Sequence, residues 1–399
     1  MKFAERMSRF SGSPTSALIA RVAELRAAGK NIISLNVGEP DFGTPDYVKV
    51  AGIKAIVDNF TKYTAGTGII ELRKAIKEKL KNDNNLDYET NEICATVGAK
   101  QAIFNAIMAI AGPGDEVLLP IPCWVSYTDM VKFAGATPVF VPVKNDEGYI
   151  LDLEAIEAAI TPNTRGIVIC TPNNPTGAVY SEASLRQLAE LAVKHDFYII
   201  SDEIYEKLIY DGEEHFSIAS ISPEVKEHTV TVNGCSKAYA MTGWRLGYLA
   251  ASKEFIANVT KIQTQTTSAT SSISQKAGLA ALTGSQHDLE VMVAEFDKRR
   301  KYVTDRLNAI PGISCTTPKG AFYILPDVSS YFGTTADDGT KINNAKDLAN
   351  FILEKEQVAL VPGEAFNIEG KVRISYSNSM ENLCEALNRL EHALSLLKK

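Results

Sequence analysis

The segment with the clearest chemical potential runs from Ser236 to Tyr248 and reads Ser-Lys-Ala-Tyr-Ala-Met-Thr-Gly-Trp-Arg-Leu-Gly-Tyr. Lys237 lies between two apolar stretches with few charged neighbours, so burial would lower its pKa and leave a neutral amine. A neutral lysine amine is the nucleophile that forms an imine with a carbonyl group. By composition alone, the more common outcome is that Lys237 lies in a surface loop with Arg245 beside it.

Three further groups of polar residues follow predicted strands. Thr171–Gly177 follows an apolar run that ends at Cys170, and Ser201–Tyr205 follows a run that ends at Ile200. Gly98–Gln101 joins a strand to a helix, where free backbone N–H groups attract an anion. Taken singly, each group can be only a turn or a helix cap. Their shared position favours one site, because open parallel sheets bind ligands at the carboxyl ends of their strands.

These groups require a parallel sheet with crossover helices to position them. Short β-branched runs alternate with longer helical patterns along the middle of the chain. The predicted strands span residues 92–97, 116–119, 137–141, 166–170, 197–200, 229–232 and 245–249. Most of them are almost entirely apolar, as central strands buried on both faces should be. The sequence therefore predicts an α/β fold with a mostly parallel sheet and flanking helices.

The pattern changes after about residue 285. A charged helix at 289–308 is followed by a strand at 321–325 and a polar loop at 329–344, and then by a strand at 371–376 and a final helix at 380–397. We expect a large domain over 46–285 and a smaller α+β domain over 286–399. Residues 1–45 have too few apolar side chains for a core of their own, so we expect this segment to pack on the small domain.

Composition excludes several classes of protein. The 399 residues are 45% hydrophobic and 22% charged, which excludes disorder as the main state. A net charge of −7 with no concentrated basic run argues against nucleic acid or anionic lipid as a partner. Six scattered cysteines without a C-x-x-C pair favour reduced, packed thiols, so neither disulfides nor a metal site is expected. Charged residues near the N-terminus and the lack of a long apolar run predict a cytoplasmic protein with no membrane partner.

The motifs together resemble the fold-type-I pyridoxal-phosphate aminotransferases, and more narrowly the bacterial-type aspartate aminotransferases. The resemblance is carried by Asn174-Pro-Thr-Gly177, Asp202-x-x-Tyr205, Ser236-Lys237-(x)7-Arg245, and segments at 38–42, 62–63, 320–323 and 372–376. It implies a seven-stranded-type sheet, pyridoxal 5'-phosphate as cofactor, and a homodimer with shared active sites.

The resemblance also implies cofactor-binding roles. Lys237 would form the imine with the cofactor and later move a proton at the substrate α-carbon, which requires a base whose pKa lies near the working pH. Asp202 would pair with the pyridine nitrogen, and Tyr205 and Asn174 would donate to the ring oxygen. The remaining cofactor contacts implied are Arg245, Ser236 and the N–H groups of Ala99 and Lys100 around the phosphate, Tyr63 from the neighbouring subunit, and Trp124 stacked on the ring. A core role for Trp124 is an equal alternative.

The implied substrate contacts begin with Arg373, whose planar fork matches an α-carboxylate. Gly38 would leave room beside its backbone N–H for that carboxylate, and Asn174 and Trp124 would also touch the substrate. Phe322 would shape the pocket or belong to the core. In two respects the sequence departs from the pattern: Gly234 replaces a phosphate-binding serine of some relatives, and no arginine offers itself for a second carboxylate. We expect Lys100 or Thr15 to bind that second carboxylate.

The resulting functional hypothesis is a ping-pong transamination. L-Aspartate would donate its nitrogen to the cofactor and leave as oxaloacetate, and 2-oxoglutarate would take the nitrogen to become L-glutamate. The nearest alternative is an aminotransferase of broader, aromatic or alanine specificity. A non-catalytic, cofactor-binding regulatory module is the alternative from another class, and the absence of a basic arm before the predicted domain argues against it.

Overall fold

The structure, a computed structural model, describes residues 2–10, 12, 14–145 and 148–399, without the side chains of residues 14–16. The strands are β1 (Ile33–Ser34), β2 (Ile93–Thr96), β3 (Glu116–Ile121), β4 (Thr137–Pro142), β5 (Thr164–Cys170), β6 (Tyr198–Asp202), β7 (Thr229–Gly234), β8 (Gly247–Ala250), β9 (Tyr323–Ile324), β10 (Thr334–Ala336), β11 (Lys341–Ile342), β12 (Val358–Ala359), β13 (Val361–Pro362), β14 (Val372–Ser375) and β15 (Leu397–Lys398).

The helices lie between and after these strands. They are α1 (Pro14–Ala27), α2 (Asp46–Val57), α3 (Ile70–Asn84), α4 (Ala99–Ile110), α5 (Val125–Ala134), α6 (Leu153–Ala159), α7 (Glu182–His195), α8 (Pro223–Glu227), α9 (Lys253–Thr266), α10 (Ser272–Thr283), α11 (His287–Ala309), α12 (Ala345–Glu356) and α13 (Met380–Ser395). Several begin where a serine or aspartate side chain accepts from a first-turn N–H, as Ser181 does from Ser184 and Asp152 does from Ala155.

The main sheet has seven strands in the order β2-β8-β7-β6-β5-β3-β4. All neighbouring pairs are parallel except those of β8, which runs antiparallel to β2 and β7. The predicted α/β fold with a mostly parallel sheet is therefore confirmed. Cys170 of β5 and Val232 of β7 both lie opposite Asp202 of β6. The carboxyl ends of β5, β6 and β7 therefore lie at the same edge of the sheet. The predicted polar motifs follow the strands at this edge.

The predicted strand at 245–249 begins two residues later than expected. Arg245 has a left-handed backbone with φ 54°, which a strand does not accommodate, and β8 starts at Gly247. The 329–344 segment was predicted to be a loop, but it contains β10 and β11, which pair antiparallel. The hairpin was not predicted for two reasons. Its composition is polar, and its strands are only three and two residues long, too short to show a pattern.

The last third of the chain forms smaller sheets. These have the orders β11-β10-β15 and β13-β14-β9, and β1 pairs in parallel with β12. Val22, Leu25 and Ile32 of the N-terminal segment pack in one apolar cluster with Leu353 and Ala359. The division of the chain into domains at 45 and 285 stays a prediction. Across the described residues, no helix combines the length and the apolar character needed to cross a membrane.

Candidate active site

A cavity of about 490 Å³ opens at the carboxyl edge of the main sheet, within the usual size of small-molecule sites. It brings together most of the residues predicted from the sequence: Gly38, Ala99, Lys100, Trp124, Asn174, Asp202, Tyr205, Ser236, Lys237, Arg245 and Arg373. A larger cavity of about 1020 Å³ lies between α3, α10 and α11, but the predicted site residues that the structure describes do not line it. The chemistry therefore belongs to the smaller cavity.

Lys237 lies just after β7 and is half-buried in the wall of the cavity. Its Nζ donates to the backbone oxygen of Gly38 at 2.5 Å and lies 5.9 Å from the centroid of the Tyr205 ring. Burial, together with the positive charges of Arg245 and Arg373, lowers the pKa of Lys237 to about 8, against the opposing attraction of Glu39 and Asp202. A substantial fraction of the amine is therefore neutral near physiological pH, as a nucleophile or a general base requires.

Asp202 ends β6 and is fully buried in the floor of the cavity. Its Oδ2 accepts a hydrogen bond from the Tyr127 hydroxyl at 2.6 Å, and its Oδ1 accepts from the N–H of Ile204 at 3.2 Å. Burial raises the pKa of Asp202 to about 6, although both hydrogen bonds lower it. Asp202 is thus mostly ionised at neutral pH and can pair with a cationic ring nitrogen.

Tyr127 is a site residue that the sequence analysis missed. It lies on α5, one turn after Trp124, and the two rings meet edge to face with their centroids 5.3 Å apart. Tyr127 is 75 positions from Asp202 in the chain, so no local pattern links the two. The sequence contains one indication that Tyr127 belongs to the site. Tyr127 lies three residues after Trp124, and residues so spaced share a helix face.

Arg245 and the start of α4 form an anion-binding corner. The first N–H groups of α4, at Ala99 and Lys100, have no carbonyl partner within the helix. Gly98 precedes them with φ 77°, and a Cβ at this position would lie 2.5 Å from Nη2 of Arg245. The guanidinium of Arg245 is held by a 2.8 Å hydrogen bond to the backbone oxygen of Thr242. Helix N-termini with an adjacent arginine are suited to phosphate groups.

The structure explains why glycine replaces serine at position 234. Gly234 pairs with Gly247 of β8, and a Cβ on Gly234 would lie 2.8 Å from the Cα of Gly247. A methyl group on Gly247 would in turn collide with the backbone nitrogen of Ala99. The two strands and the start of α4 are packed too closely for any side chain at either position.

Arg373 lies on β14 and is fully buried beside Gly38. Its Nη1 donates to Oδ1 of Asn174 at 3.0 Å, and its Nη2 donates to the backbone oxygen of Asn36 at 2.7 Å. Within the described residues its Nε has no partner. Burial lowers the pKa of Arg373, but arginine remains charged at any physiological pH. A buried cation with an unpaired donor can bind a substrate carboxylate.

The aromatic residues of the cavity differ in part from expectation. Phe322 is buried in the core against Phe296 and does not line the cavity, whereas its neighbour Tyr323 does. The Tyr323 hydroxyl lies 2.9 Å from the Tyr205 hydroxyl and 2.5 Å from where a Cβ of Gly38 would be. Gly38 therefore makes room first for Tyr323, a residue that the sequence analysis did not select.

Lys100 and Trp124 meet at the cavity wall. The Nζ of Lys100 lies 4.8 Å from the centroid of the Trp124 ring, within the range of a cation–π contact. Burial, and then repulsion from Arg245, lower the pKa of Lys100. Ser236 is also buried in the wall.

One predicted site residue that the structure describes, Tyr63, is not brought into the cavity. Tyr63 is 96% exposed on the surface of the chain and does not line the cavity. The side chain of Thr15 lies outside the described residues.

Comparisons with known proteins find relatives along almost the whole chain. The family model "Aminotransferase class I and II" matches residues 30–390. An aspartate aminotransferase of Pinus pinaster is 46% identical over 98% of this chain and 81% of its own length. A probable aspartate/prephenate aminotransferase of Rickettsia bellii is also 46% identical, over 96% of this chain and 97% of its own.

Solved structures agree equally well. The aspartate aminotransferase of Rhizobium meliloti superposes with a TM-score of 0.96 over the whole of both chains at 43% identity. An aromatic aminotransferase of Pyrococcus horikoshii gives a TM-score of 0.86 at 39% identity, over 94% of this chain and 98% of its own. The fold-type-I architecture and the transamination activity expected from the sequence are confirmed. The chain belongs to the class I and II aminotransferase family and is an aminotransferase.

Proposed function

We propose that the cavity binds pyridoxal 5'-phosphate. Three features of the described residues support the fit: an amine with a lowered pKa at Lys237, a buried carboxylate at Asp202, and the anion-binding corner of Arg245 and α4. When bound, the cofactor supplies an electron-accepting ring that stabilises negative charge at the substrate α-carbon. Asp202 would hold the ring nitrogen in its protonated form, and the corner would hold the phosphate.

The chain's own groups would do the rest of the chemistry. Lys237 would carry the proton to and from the α-carbon, because its pKa of about 8 lets it accept and release a proton near neutral pH. Tyr205 and Asn174 would donate to the ring oxygen. In the structure Asn174 already contacts Arg373, so the residue that touches the ring would also orient the carboxylate fork. The observation that carries the proposal is that the amine of Lys237 lines the same cavity as Arg373.

We propose L-aspartate and 2-oxoglutarate as the substrate pair. The names of the relatives support a dicarboxylic amino acid, and those called aspartate/prephenate aminotransferase make prephenate a second oxo acid to test. Arg373 would bind the α-carboxylate. Lys100 would bind the distal carboxylate, because its ammonium is a partly desolvated cation in the cavity wall. Broader or aromatic specificity stays the alternative.

A panel of amino donors and oxo acids tests this proposal. The unchanged enzyme and the Lys100→Ala variant are assayed with aspartate, alanine and phenylalanine against 2-oxoglutarate and prephenate. A charge-assisted hydrogen bond contributes ~1.5–3 kcal/mol, so Lys100→Ala should lower kcat/KM for aspartate about 10- to 100-fold and leave alanine unchanged. Lys298→Ala, which removes an exposed lysine, is the control. An equal loss for aspartate and alanine would exclude a distal role for Lys100.

We propose further that the enzyme is a homodimer. The exposed Tyr63 and the exposed apolar face of α2 support an interface through which Tyr63 would reach the partner subunit's phosphate. The cytoplasmic location stays a prediction. Absence of turnover with every donor in the panel, together with retained cofactor binding, would favour the regulatory-module alternative.

A further inference from the structure

A buried cluster of charged side chains lies behind Asp202 and Tyr205, outside the cavity. It contains Glu203, Glu206, His215 and Lys79, whose side chains are at most 9% exposed. Glu203 and Glu206 each follow directly after a residue of the cavity, but they do not line it. The short segment 202–206 therefore presents Asp202, Ile204 and Tyr205 to the cavity and buries two carboxylates on its other side.

The contacts of Glu203 hold this segment firmly. Its Oε2 accepts from Ser217 Oγ at 2.6 Å and lies 2.9 Å from His215 Nε2, and its Oε1 accepts from Ser201 Oγ at 3.0 Å. The backbone N–H of Glu203 donates to the oxygen of Val232 at 2.8 Å. A displacement of the Glu203 side chain would therefore move the backbone that positions Asp202.

Glu206 is held by a different cation. It forms an ion pair with Lys79 of α3 and accepts from Asn84 Nδ2 at 2.6 Å. Three potential ligand atoms of Glu203, Glu206 and His215 lie within 4.8 Å of one another, a spacing that a metal ion also requires. The ammonium group of Lys79 already supplies a positive charge at Glu206, so the arrangement does not require a metal ion.

Charge balance identifies the role of His215. Two buried carboxylates face one lysine, and an uncompensated buried charge is strongly unfavourable. His215 is the remaining group of the cluster that can supply a positive charge. Burial and Lys79 lower the pKa of His215, but attraction to Glu203 and Glu206 outweighs both, and the pKa is raised above its ordinary value. Asp83 lies 3.8 Å from Lys79 and 2.9 Å from Lys207, so the charge of this more exposed carboxylate is balanced by Lys207.

We propose that His215, as an imidazolium, balances Glu203 and is a positioning residue for the segment that presents Asp202 and Tyr205. The inference rests on the proposed contact of Asp202 with the cofactor ring. Without the positive charge of His215, Glu203 would either move or leave an unbalanced negative charge next to Asp202. Either change would alter the environment of the cofactor without removing a group that touches it.

Three variants separate charge balance from a purely structural contribution. His215→Gln keeps a hydrogen-bond donor and removes the charge, Glu203→Gln/His215→Gln removes both charges, and His228→Gln changes a histidine that pairs with an exposed aspartate. The absorbance of the holoenzyme is titrated with pH, and kcat and KM are measured. In His215→Gln the midpoint of the absorbance titration should move to higher pH, because excess negative charge favours protonated groups. The value of kcat should fall about tenfold, with little change in KM. The double variant should recover most of both effects, and His228→Gln should show neither.

Two results would overturn the proposal: an unchanged titration and kcat in His215→Gln, or equal damage in the single and double variants. Because His215→Gln can fail to fold, a measurement on the unchanged holoenzyme complements it. The chain has 5 histidines, so selective ¹⁵N labelling resolves their imidazole nitrogens by NMR, with the folded double variant assigning His215. His215 should remain protonated at pH 7, and a neutral ring at that pH would refute the proposal whether or not the assignment of substrates is correct.

Discussion

At the scale of single residues, the cavity holds an amine and a carboxylate whose pKa values are shifted towards neutrality by the same cause. Burial disfavours the charged form of both groups, so the pKa of Lys237 falls to about 8 and that of Asp202 rises to about 6. Tyr127 limits the shift of Asp202 by donating to its carboxylate. At a pH between about 6 and about 8, Lys237 is mostly protonated and Asp202 is mostly ionised. Each group can gain or lose its proton at a modest cost in free energy.

The pKa of Lys237 predicts how the enzyme without cofactor should react with pyridoxal 5'-phosphate. Only the neutral amine attacks the aldehyde, so the rate should rise with pH through a midpoint near 8 rather than near the ordinary lysine value of 10.5. Stopped-flow absorbance at several pH values measures this rate, and Lys237→Ala provides the background. A midpoint near that of an exposed lysine would show that Lys237 is not desolvated as described.

At the scale of elements, the anion-binding corner depends on how closely β7, β8 and α4 approach one another. Gly98, Gly234 and Gly247 lie at this junction, and each would bring a Cβ into contact with the backbone or with Arg245. The absence of side chains lets the N–H groups at the start of α4 and the guanidinium of Arg245 face the same point. The geometry of the corner is therefore a property of three elements together.

Gly247→Ala should weaken cofactor binding, because the start of α4 would have to move away from β8. The added methyl would collide with the nitrogen of Ala99, and overpacking of this kind costs ~1–3 kcal/mol, which corresponds to about a 5- to 150-fold weaker Kd. The control is Gly243→Ala, since a Cβ there meets nothing within 4 Å. Equilibrium dialysis of the cofactor compares the two variants. Equal affinities in both would contradict the close packing of the corner.

At the scale of the whole molecule, α2 presents an apolar face that the described chain does not cover. Val50, Ile53 and Val57 are 61%, 60% and 72% exposed, and they share one side of the helix. The opposite side, with Val48 and Ala55, is buried. Exposed apolar patches of this kind typically mark interaction sites, and Tyr63 lies shortly after the helix.

Ile53→Glu should therefore shift the proposed homodimer to a monomer. A carboxylate in an apolar interface would be desolvated without a partner. Sedimentation equilibrium measures the mass of the protein. The affinity for the cofactor should also fall, because the monomer would lose the contact with the partner's Tyr63. Val291→Glu, at a position on α11 that is 50% exposed, is the control and should sediment as the unchanged protein does. A dimer that persists in Ile53→Glu would show that the interface lies elsewhere.

The residue pattern predicts most of the order of elements and the main chemical groups of the site. Alternating apolar patterns predicted the seven-stranded sheet, because period and composition act over a few neighbouring residues. The motifs around Asn174, Asp202, Lys237 and Arg245 were visible because each is contiguous and follows a strand. The short strands β10 and β11 were missed, since two or three residues carry too little pattern.

Folding of the chain brings together side chains that are far apart in the sequence. Arg373 and Asn174 are 199 positions apart, and Tyr205 and Tyr323 are 118 apart. The cluster of Lys79, Glu206, Glu203 and His215 likewise joins α3 to the segments that follow β6. The sequence shows the residue types but not these contacts, because a hydrogen bond or an ion pair depends on distances of a few ångströms that arise only when the whole chain packs.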